Sequence, residues 1–411
     1  MQSDAIIVLA ARGLRAFGFG YVPFTMSVYL SELGLPPLQI AALVSVNAAG
    51  AVALMLLYSR YADRWGRRNI LRLSALSMIV FGVVLAFAAS FPWLLAIAIL
   101  GPLPAGSSDQ SGFTVVEQAF LAQIVRAPWR NRFFGVYNAL AAVLSSLGAL
   151  AARIPVDLSP ATGVSVLDLT RAMFLGFAGI STVVFVLVWR LSPVVESAPL
   201  PGPHAMFRSR ESRRLVTRFS AIQGFDAFAG AFAGEQLLSL WLHLRFNLEL
   251  DALATIFFFT HMLAAVSQVA AGMLADRIGH IRTMVVSHLP ANVMFLIIGF
   301  LPSVEPVIAL LLVRSLLASM DVPARQALIV AMVQPSERTA ATGFVNSARS
   351  LSASISPVIA GWIMQTFALG APFVVTGALR VIYNVVLFTT FRHLAPDISV
   401  EEEKRGVSNE K

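Results

Sequence analysis

Four ionisable residues interrupt long hydrophobic windows of this chain, and their types suit the binding of protons or anions. Arg15, Glu117, Asp226 and Arg325 each lie within an apolar stretch long enough to form a buried helix. Ionisable groups inside a membrane are energetically costly, pair with another charge or line a water-filled path, and mark functional sites by default. Carboxylates in a low dielectric can titrate near neutrality, so Glu117, Asp226 and Asp109 are candidate proton-binding groups.

The four charges are related in pairs by an internal repeat that exchanges their sign. Arg15 aligns with Asp226 at an offset of 211 residues, and Glu117 aligns with Arg325 at an offset of 208. If the two copies face each other at equal depth, opposite charges attract across a central cavity when it closes and separate when it opens. A second interpretation stays open, because Asp321 lies four residues before Arg325 and can pair with it on one helix.

A short polar loop carries the clearest copy of this repeat. Residues 62–68 read ADRWGRR, and residues 275–282 read ADRIGHIR, 213 residues later. A tight turn between two helices places Asp63 at a helix end, where its carboxylate can accept hydrogen bonds from arginines or from the exposed N–H groups of a helix N-terminus. The pattern indicates a latch, although the arginines of the loop also fit a purely topological role.

The elements that must position these residues are membrane-spanning helices. Hydrophobic residues make up 57% of the chain and charged residues 13%, whereas soluble domains contain about 25% charged residues. Twelve apolar windows of about 20 residues are each long enough to cross a hydrocarbon core of ~30 Å as a helix. They lie near residues 5–30, 38–59, 69–89, 92–124, 133–152, 170–191, 215–243, 250–275, 283–301, 304–333, 340–367 and 371–391. The fold class predicted is an all-α polytopic membrane protein.

The distribution of the basic residues predicts the orientation of these helices. Most of the 30 Lys and Arg residues fall in loops and tails on the side of the N-terminus, whereas Arg153, Arg171 and Arg245 fall on the opposite side. This asymmetry places both termini in the cytoplasm. The formal net charge of +8 is therefore ascribed to topology and to contact with anionic headgroups of the lipid bilayer, and nucleic acid is not an expected partner.

Composition excludes several kinds of site. The chain has no cysteine, which excludes disulfides, thiolate metal sites and cysteine nucleophiles. No metal site is expected, because the six histidines are scattered and a lone residue such as His261 in a membrane helix is more often hydrogen-bonded than a ligand. No constellation of nucleophile and base is found, so the chain is expected neither to be an enzyme nor to need a cofactor.

The longest polar connection separates two predicted domains. Residues 192–214 combine four prolines with a basic run, which is typical of a linker at the inner headgroup surface. The predicted domains are an N-terminal six-helix bundle at 1–191, this cytoplasmic linker at 192–214, a C-terminal six-helix bundle at 215–395 and a cytoplasmic tail at 396–411.

The loop, its weaker copy, and the sequence DVPARQA at 321–327 followed by PSER at 335–338 resemble the major facilitator superfamily over nearly the whole chain. The resemblance implies two six-helix bundles related by a pseudo-twofold axis along the membrane normal, with helices one, four, seven and ten around a central cavity. It also implies that the loop aspartate tethers one half to the other on the cytoplasmic side. The candidate latch residues are Asp63, Arg64, Gly66, Arg67, Arg68, Asp276, Arg277 and Gly279.

The candidate residues for substrate or ion coupling all lie in the apolar windows. They are Arg15, Asp109, Glu117, Gln118, Asp226, Arg325 and Arg349. Asp109 belongs to residues 101–112, whose glycines and prolines break an ordinary helix, and two interpretations stay open: an unwound stretch facing a cavity and an external loop. The three arginines make an anionic or zwitterionic solute as compatible as an amphipathic cation.

The observations and the resemblance together imply secondary active transport. The expected cargo is a small organic solute, moved across the plasma membrane of a bacterium, its inner membrane, by rocker-switch alternating access. The expected coupling ion is the proton, and the chain is expected to act as a monomer. The direction of transport stays open, with export as one of the two directions. Two alternatives stay open: a non-transporting sensor or receptor on the same fold, and a facilitative uniporter.

Overall fold

The structure is a computed structural model that describes residues 2–87, 90–100, 113, 116–117, 121, 127–196, 210–333 and 338–391. Every regular element among these residues is helical. The α-helices are α1 (Gln2–Glu32), α2 (Pro37–Trp65), α3 (Arg67–Phe87), α4 (Phe91–Ala98), α5 (Ala127–Ala151), α6 (Ile154–Thr162), α7 (Val166–Trp189), α8 (Arg210–Ala231), α9 (Glu235–Phe246), α10 (Leu250–Ile278), α11 (His280–Ile298), α12 (Val304–Ala318), α13 (Asp321–Ala331), α14 (Arg338–Thr366) and α15 (Ala371–Phe391). A short 3₁₀ turn, Pro193–Val195, follows α7.

Eight helical segments of the described residues are long and apolar enough to cross a membrane. They lie in α1, α2, α3, α5 with α6, α7, α10, α11 and α15. The predicted all-α polytopic membrane fold is confirmed, whereas the count of twelve spans and the cytoplasmic termini stay predictions.

Two of the predicted spans are divided into separate helices. The seventh span becomes α8 and α9, and the tenth becomes α12 and α13. The pieces α9, α12 and α13 contain 12, 15 and 11 residues, fewer than the ~20 that a single crossing requires. The breaks fall at Gly234, whose extended backbone precedes α9, and directly before Asp321, the first residue of α13. Interrupted helices at membrane depth are tolerated only where protein or water surrounds them.

The repeated loop adopts the same backbone conformation in both copies. Gly66 joins α2 to α3 with φ +84°, and Gly279 joins α10 to α11 with φ +85°. Residues other than glycine rarely adopt a positive φ of this size, because their Cβ collides with the backbone. The two glycines therefore perform the same turn in each half of the sequence.

By internal contacts the chain forms two compact units. The first unit contains residues 1–202, 231–262 and 353–369, and the second contains residues 203–230, 263–352 and 370–411. Each unit thus combines segments that lie far apart in the sequence. The predicted division at the linker into bundles 1–191 and 215–395 stays a prediction.

The first unit depends on glycines where helices cross. A methyl group on Gly20 of α1 would collide with the backbone of Ser145 in α5, and one on Gly148 would collide with the backbone of Phe17. A methyl group on Gly82 of α3 would lie 2.8 Å from the carbonyl oxygen of Phe174 in α7. Small residues at membrane helix crossings allow such close approach, which dispersion forces then stabilise.

The first unit also joins segments from both halves of the sequence. Phe24 of α1 stacks on Phe257 of α10 with ring centroids 4.9 Å apart, and Glu32 at the end of α1 lies 3.0 Å from the His243 ring of α9. α14 packs on the start of α2, where a methyl group on Gly361 would meet Ala41. Glu32 is the last residue of α1 and Ala41 lies in the first turns of α2, so these contacts lie toward one end of the helices, which the predicted topology places outside.

The second unit has an apolar core shared by five helices. Its buried members include Phe219 of α8, Met284 of α11, Leu328 of α13, Val345 of α14 and Leu387 of α15. This core leaves the polar residues of the same helices grouped beside it, and they form the larger of the two charge clusters described next.

Candidate functional site

A buried ion pair lies in the first unit. Arg15 of α1 donates from Nη1 to Oε1 of Glu117 and from Nη2 to Oε2, both at 2.8 Å. The exposed fraction of the two side chains is 0% and 1%. Glu117 lies in the fourth predicted span, where it is helical together with Phe113, Val116 and Leu121. The pair is bidentate, the geometry in which guanidinium and carboxylate interact most strongly.

Aromatic side chains surround this pair. The Tyr137 hydroxyl of α5 donates to Oε2 of Glu117 at 2.7 Å, so the carboxylate accepts three hydrogen bonds. The Arg15 guanidinium lies over the Phe113 ring, 4.0 Å from its centroid, and Arg12 lies 4.8 Å from the Tyr137 ring centroid. Bidentate pairing and a cation–π contact together compensate part of the desolvation of both charges.

A larger cluster lies in the second unit around Asp226 of α8. Its Oδ2 accepts a hydrogen bond from Nη1 of Arg349 in α14 at 3.0 Å. Its Oδ1 lies 3.3 Å from Nε of Arg380 in α15, within ion-pair distance but without hydrogen-bond geometry. Asp226 is 1% exposed, whereas the side chains of Arg349 and Arg380 are 16% and 13% exposed. Only the two cations therefore reach accessible space.

Neighbouring polar groups orient Arg349. Nη1 of Arg349 also donates to Oε1 of Gln223 at 2.7 Å and to the backbone oxygen of Gln223 at 3.2 Å. Gln223 lies one helical turn before Asp226 and donates from Nε2 to the Tyr383 hydroxyl at 3.0 Å. This chain of bonds ties α8, α14 and α15 together.

Arg325 pairs with Asp321 on its own helix, as the second interpretation proposed. Nη1 of Arg325 donates to Oδ2 of Asp321 at 2.6 Å, an i,i+4 pair in α13. The four charges that the repeat relates, Arg15, Glu117, Asp226 and Arg325, each have a partner within their own half of the sequence. An exchange of partners between the halves stays a prediction.

The polar loop contacts a residue that the sequence did not single out. The backbone N–H groups of Arg67 and Arg68 donate to the carboxylate of Glu196, at 2.7 and 3.2 Å. Glu196 directly follows the 3₁₀ turn after α7, so the start of the linker caps the N-terminus of α3. A carboxylate at this position satisfies exposed donors and interacts favourably with the helix dipole.

The side chains of five candidate residues lie outside the described part of the structure. Asp109 and Gln118 lie outside the described residues, as do the side chains of Asp63, Arg64 and Asp276. The choice between an unwound stretch and an external loop for 101–112 stays open for the same reason. Of the second loop, Arg277 is exposed and Gly279 forms the turn.

Several polar residues of the two clusters and of the polar loop were missed at the level of sequence. Arg314 lies inside the apolar helix α12, and Arg380 is the one charged residue of α15, so the rule that membrane charges mark functional sites would have found them. Tyr137 and Glu196 carry no such signal, because their importance depends on contacts across the fold.

No group of His, Cys, Asp or Glu suited to hold a metal ion is present in the described part of the chain. His261, considered above as an isolated residue of a membrane helix, lies with its Nε2 2.7 Å from Oε1 of Glu235. It is a hydrogen-bonded residue, as its position in the sequence predicted.

Comparisons with known proteins agree with this architecture. An uncharacterized membrane protein of Saccharomyces cerevisiae is 23% identical over 97% of this chain and 96% of its own length. The class G tetracycline resistance protein of Vibrio anguillarum is 25% identical over 87% of this chain and 89% of its own length. The crystal structure of a bacterial homolog of the human lysosomal transporter Spinster, inward-facing and unoccupied, superposes with a TM-score of 0.70, at 16% identity and 97% coverage of both chains.

The family comparison is the most general of these findings. The sequence model of the Major Facilitator Superfamily matches residues 8–317 and 248–409, which together cover nearly the whole chain. The multi-pass helical fold, the repeated glycine turn and the charged residues inside apolar helices are all consistent with that match. The chain therefore belongs to the Major Facilitator Superfamily of membrane transporters.

Proposed function

We propose that this transporter is a proton-coupled secondary transporter that moves a small organic solute across a bacterial plasma membrane by alternating access, as a monomer. The observation that carries the proposal is the buried pair of Arg15 and Glu117, which connects α1 to the fourth predicted span.

Protonation of Glu117 removes the negative charge that holds Arg15. The guanidinium then loses the negative charge that lay 2.8 Å away, and loss of one partner of a buried pair costs about 3 to 5 kcal/mol. A free-energy change of this size shifts a two-state conformational equilibrium by more than 100-fold (~1.4 kcal/mol per factor of ten). Proton binding at Glu117 is thereby coupled to a change in helix packing around α1.

The contacts at one end of the first unit support the alternating-access part of the proposal. Phe24, Glu32 and Ala41, all from the first half of the sequence, contact residues of the second half there. These contacts are small, mostly apolar and without a covalent link, so they can separate and form again in each cycle. A transporter that opens on this side must break them.

The test uses purified full-length protein in proteoliposomes with an imposed pH gradient and an internal pH indicator. Tetracycline and benzoate are the first solutes, followed by a library of organic solutes. We expect the parent protein to accumulate a solute against its gradient while the pH gradient discharges. Glu117→Gln is expected to lose accumulation yet retain exchange of labelled for unlabelled solute, because exchange needs no net protonation change.

The matched control is Asp157→Asn, which removes a carboxylate from an exposed pair with Arg153. It is expected to transport like the parent, because exposed pairs contribute little free energy. Uphill accumulation by Glu117→Gln contradicts the coupling role of Glu117. Absence of flux for every solute contradicts transport and favours the sensor alternative.

A further inference from the structure

The buried charges of the second unit are not balanced among its described residues. Four arginines, Arg314, Arg325, Arg349 and Arg380, lie within electrostatic range of two carboxylates, Asp226 and Asp321. Each carboxylate is matched by one arginine at hydrogen-bond distance, Asp226 by Arg349 and Asp321 by Arg325. Two positive charges remain in excess, which is unfavourable inside a membrane protein unless an anion compensates for them.

Like charges lie within electrostatic range of each other in this cluster. Arg314 interacts electrostatically with Arg380, and Arg325 with Arg349. The Arg314 guanidinium lies over the ring of Phe295, 3.7 Å from its centroid. An aromatic face stabilises a cation without neutralising it. The planar guanidinium of arginine is suited to bind carboxylate and phosphate groups, so arginines in excess over carboxylates favour an anionic ligand.

Polar atoms beside these arginines lack hydrogen bonds. Both amide atoms of Asn384 are buried without a partner, and Asn384 itself is 1% exposed. It lies four residues after Arg380 in α15, one turn along the same face. Nε of Arg380, Nε of Arg314 and Oδ1 of Asn292 are also buried without hydrogen bonds. Such groups are rare in folded proteins unless a ligand, water or ion satisfies them.

We propose that this cluster binds the oxyanion group of the transported solute, a carboxylate or a phosphate, with Arg380, Arg349 and Arg314 as its donors. The Asp226 carboxylate lies 3.0 Å from Arg349 and 3.3 Å from Arg380, and the oxyanion of the solute competes with it for the same arginines. Asn384 supplies a neutral hydrogen bond next to them. This inference rests on the proposed function, since it names the chemical class of the solute.

The competition makes a signed prediction for two variants. Arg380→Gln removes a donor and one excess charge, so the affinity for an oxyanion is expected to fall by about tenfold or more, the size of one lost charge-assisted hydrogen bond. Asp226→Asn removes the internal competitor and is expected to raise that affinity. A purely structural network predicts the opposite for Asp226→Asn, namely loss of stability with no gain in affinity.

The test measures the melting temperature of the purified full-length protein in detergent as four probes are titrated at constant ionic strength. Benzoate, benzamide and benzamidine share one shape and are anionic, neutral and cationic. Inorganic phosphate is the fourth probe, and its rank against benzoate distinguishes a phosphate from a carboxylate group. We expect stabilisation by benzoate or phosphate and none by benzamide or benzamidine. Arg153→Gln, at the exposed pair with Asp157, is expected to respond like the parent.

A variant that keeps every charge tests the geometry. A methyl group on Gly230 of α8 would collide with the Arg380 guanidinium, so Gly230→Ala displaces this donor and is expected to weaken oxyanion stabilisation as Arg380→Gln does. A response to benzamidine, a response to oxyanions that survives in Arg380→Gln, or no response to either oxyanion overturns the inference. Because melting in detergent requires no flux, transport of a neutral solute without oxyanion binding would overturn this inference alone, and oxyanion binding without transport would overturn only the proposed function.

Discussion

Ser45 in α2 accepts a hydrogen bond from the backbone N–H of Val358 in α14, at 2.9 Å and across 313 residues of sequence. Pro357 lies inside α14 directly before Val358, and proline disturbs the hydrogen-bond ladder of the helix around it. A backbone donor near the disturbed turn thus serves a contact between the two halves of the sequence. The same contact contains Gly361, one turn further along α14.

Enlarging Gly361 is expected to separate this end of the first unit. In Gly361→Val the side chain collides with Ala41 and approaches the carbonyl oxygen of Pro37, which lies 3.0 Å from a Cβ at this position. Overpacking of this kind costs about 1 to 3 kcal/mol. We expect labelling of a single cysteine introduced as Ser45→Cys to accelerate, and the chain has no other thiol that would react.

The control for this prediction is Gly176→Val in α7, where a Cβ meets nothing within 4 Å. The cysteine of Ser45→Cys is expected to be labelled at the same rate with Gly176→Val as without it. Equal rates for both glycine variants would show that the contact at Gly361 does not hold this end closed.

Removing the carboxylate of Glu196 is expected to weaken the polar loop. Glu196→Ala leaves the N–H groups of Arg67 and Arg68 without the acceptor seen at 2.7 and 3.2 Å, and loss of a helix cap costs about 0.5 to 2 kcal/mol. The melting temperature should fall. Glu305→Ala, which removes an exposed carboxylate from the first turn of α12, should lower it less, because an exposed charge near a helix N-terminus contributes only about 0.3 to 1 kcal/mol.

The loop aspartate is expected to act on turnover more than on stability. Asp63→Asn removes the charge proposed to tether the cytoplasmic side, so turnover should slow while solute binding is retained. Transport at the parental rate, with unchanged labelling of single cysteines on the cytoplasmic side, would contradict the latch.

The two loop glycines offer a matched pair of substitutions. Gly66→Ala and Gly279→Ala each force a side chain into a backbone region with φ near +85°, a strain of about 1 to 3 kcal/mol. Gly66→Ala should cost more, because its Cβ would also lie 3.1 Å from the Glu196 carboxylate, whereas Gly279 has open space. Gly343→Ala, inside α14 with open space around it, is the control and should stabilise slightly. Equal stability of all three variants would contradict the assigned backbone conformation.

Exchanging charges distinguishes the pairing within each half from the pairing predicted between halves. Arg15→Glu and Glu117→Arg are each expected to impair transport, because each leaves two like charges where a 2.8 Å pair lay, at about 3 to 5 kcal/mol. The double exchange should recover part of the loss. If the two halves exchange partners as the repeat predicts, transport should recover instead in the double variant Arg15→Asp with Asp226→Arg. The coupling energies of the two double-mutant cycles therefore distinguish pairing within a half from pairing between halves.

The amino-acid sequence by itself determined that the chain lies in a membrane, that it is helical and that it contains an internal repeat. Hydropathy is a local property, so 57% hydrophobic residues in windows of helical length suffice to predict a polytopic membrane fold. The turns at Gly66 and Gly279 were readable because a loop motif recurs with its glycine in place. The pair of Asp321 with Arg325 was also within reach of sequence, since four residues of helix bring them together.

Only the tertiary structure decided which distant residues meet. Arg15 and Glu117 are 102 residues apart, and the sequence marked both as costly membrane charges without identifying them as partners. The contact of Glu196 with the start of α3 depends on how whole helices pack, and so does the contact of Arg380 with Asp226. Helix packing is selected by close approach at residues such as Gly20 and Gly148 and by the pairing of buried charges such as Arg15 with Glu117. These are sums over the fold that no local pattern contains.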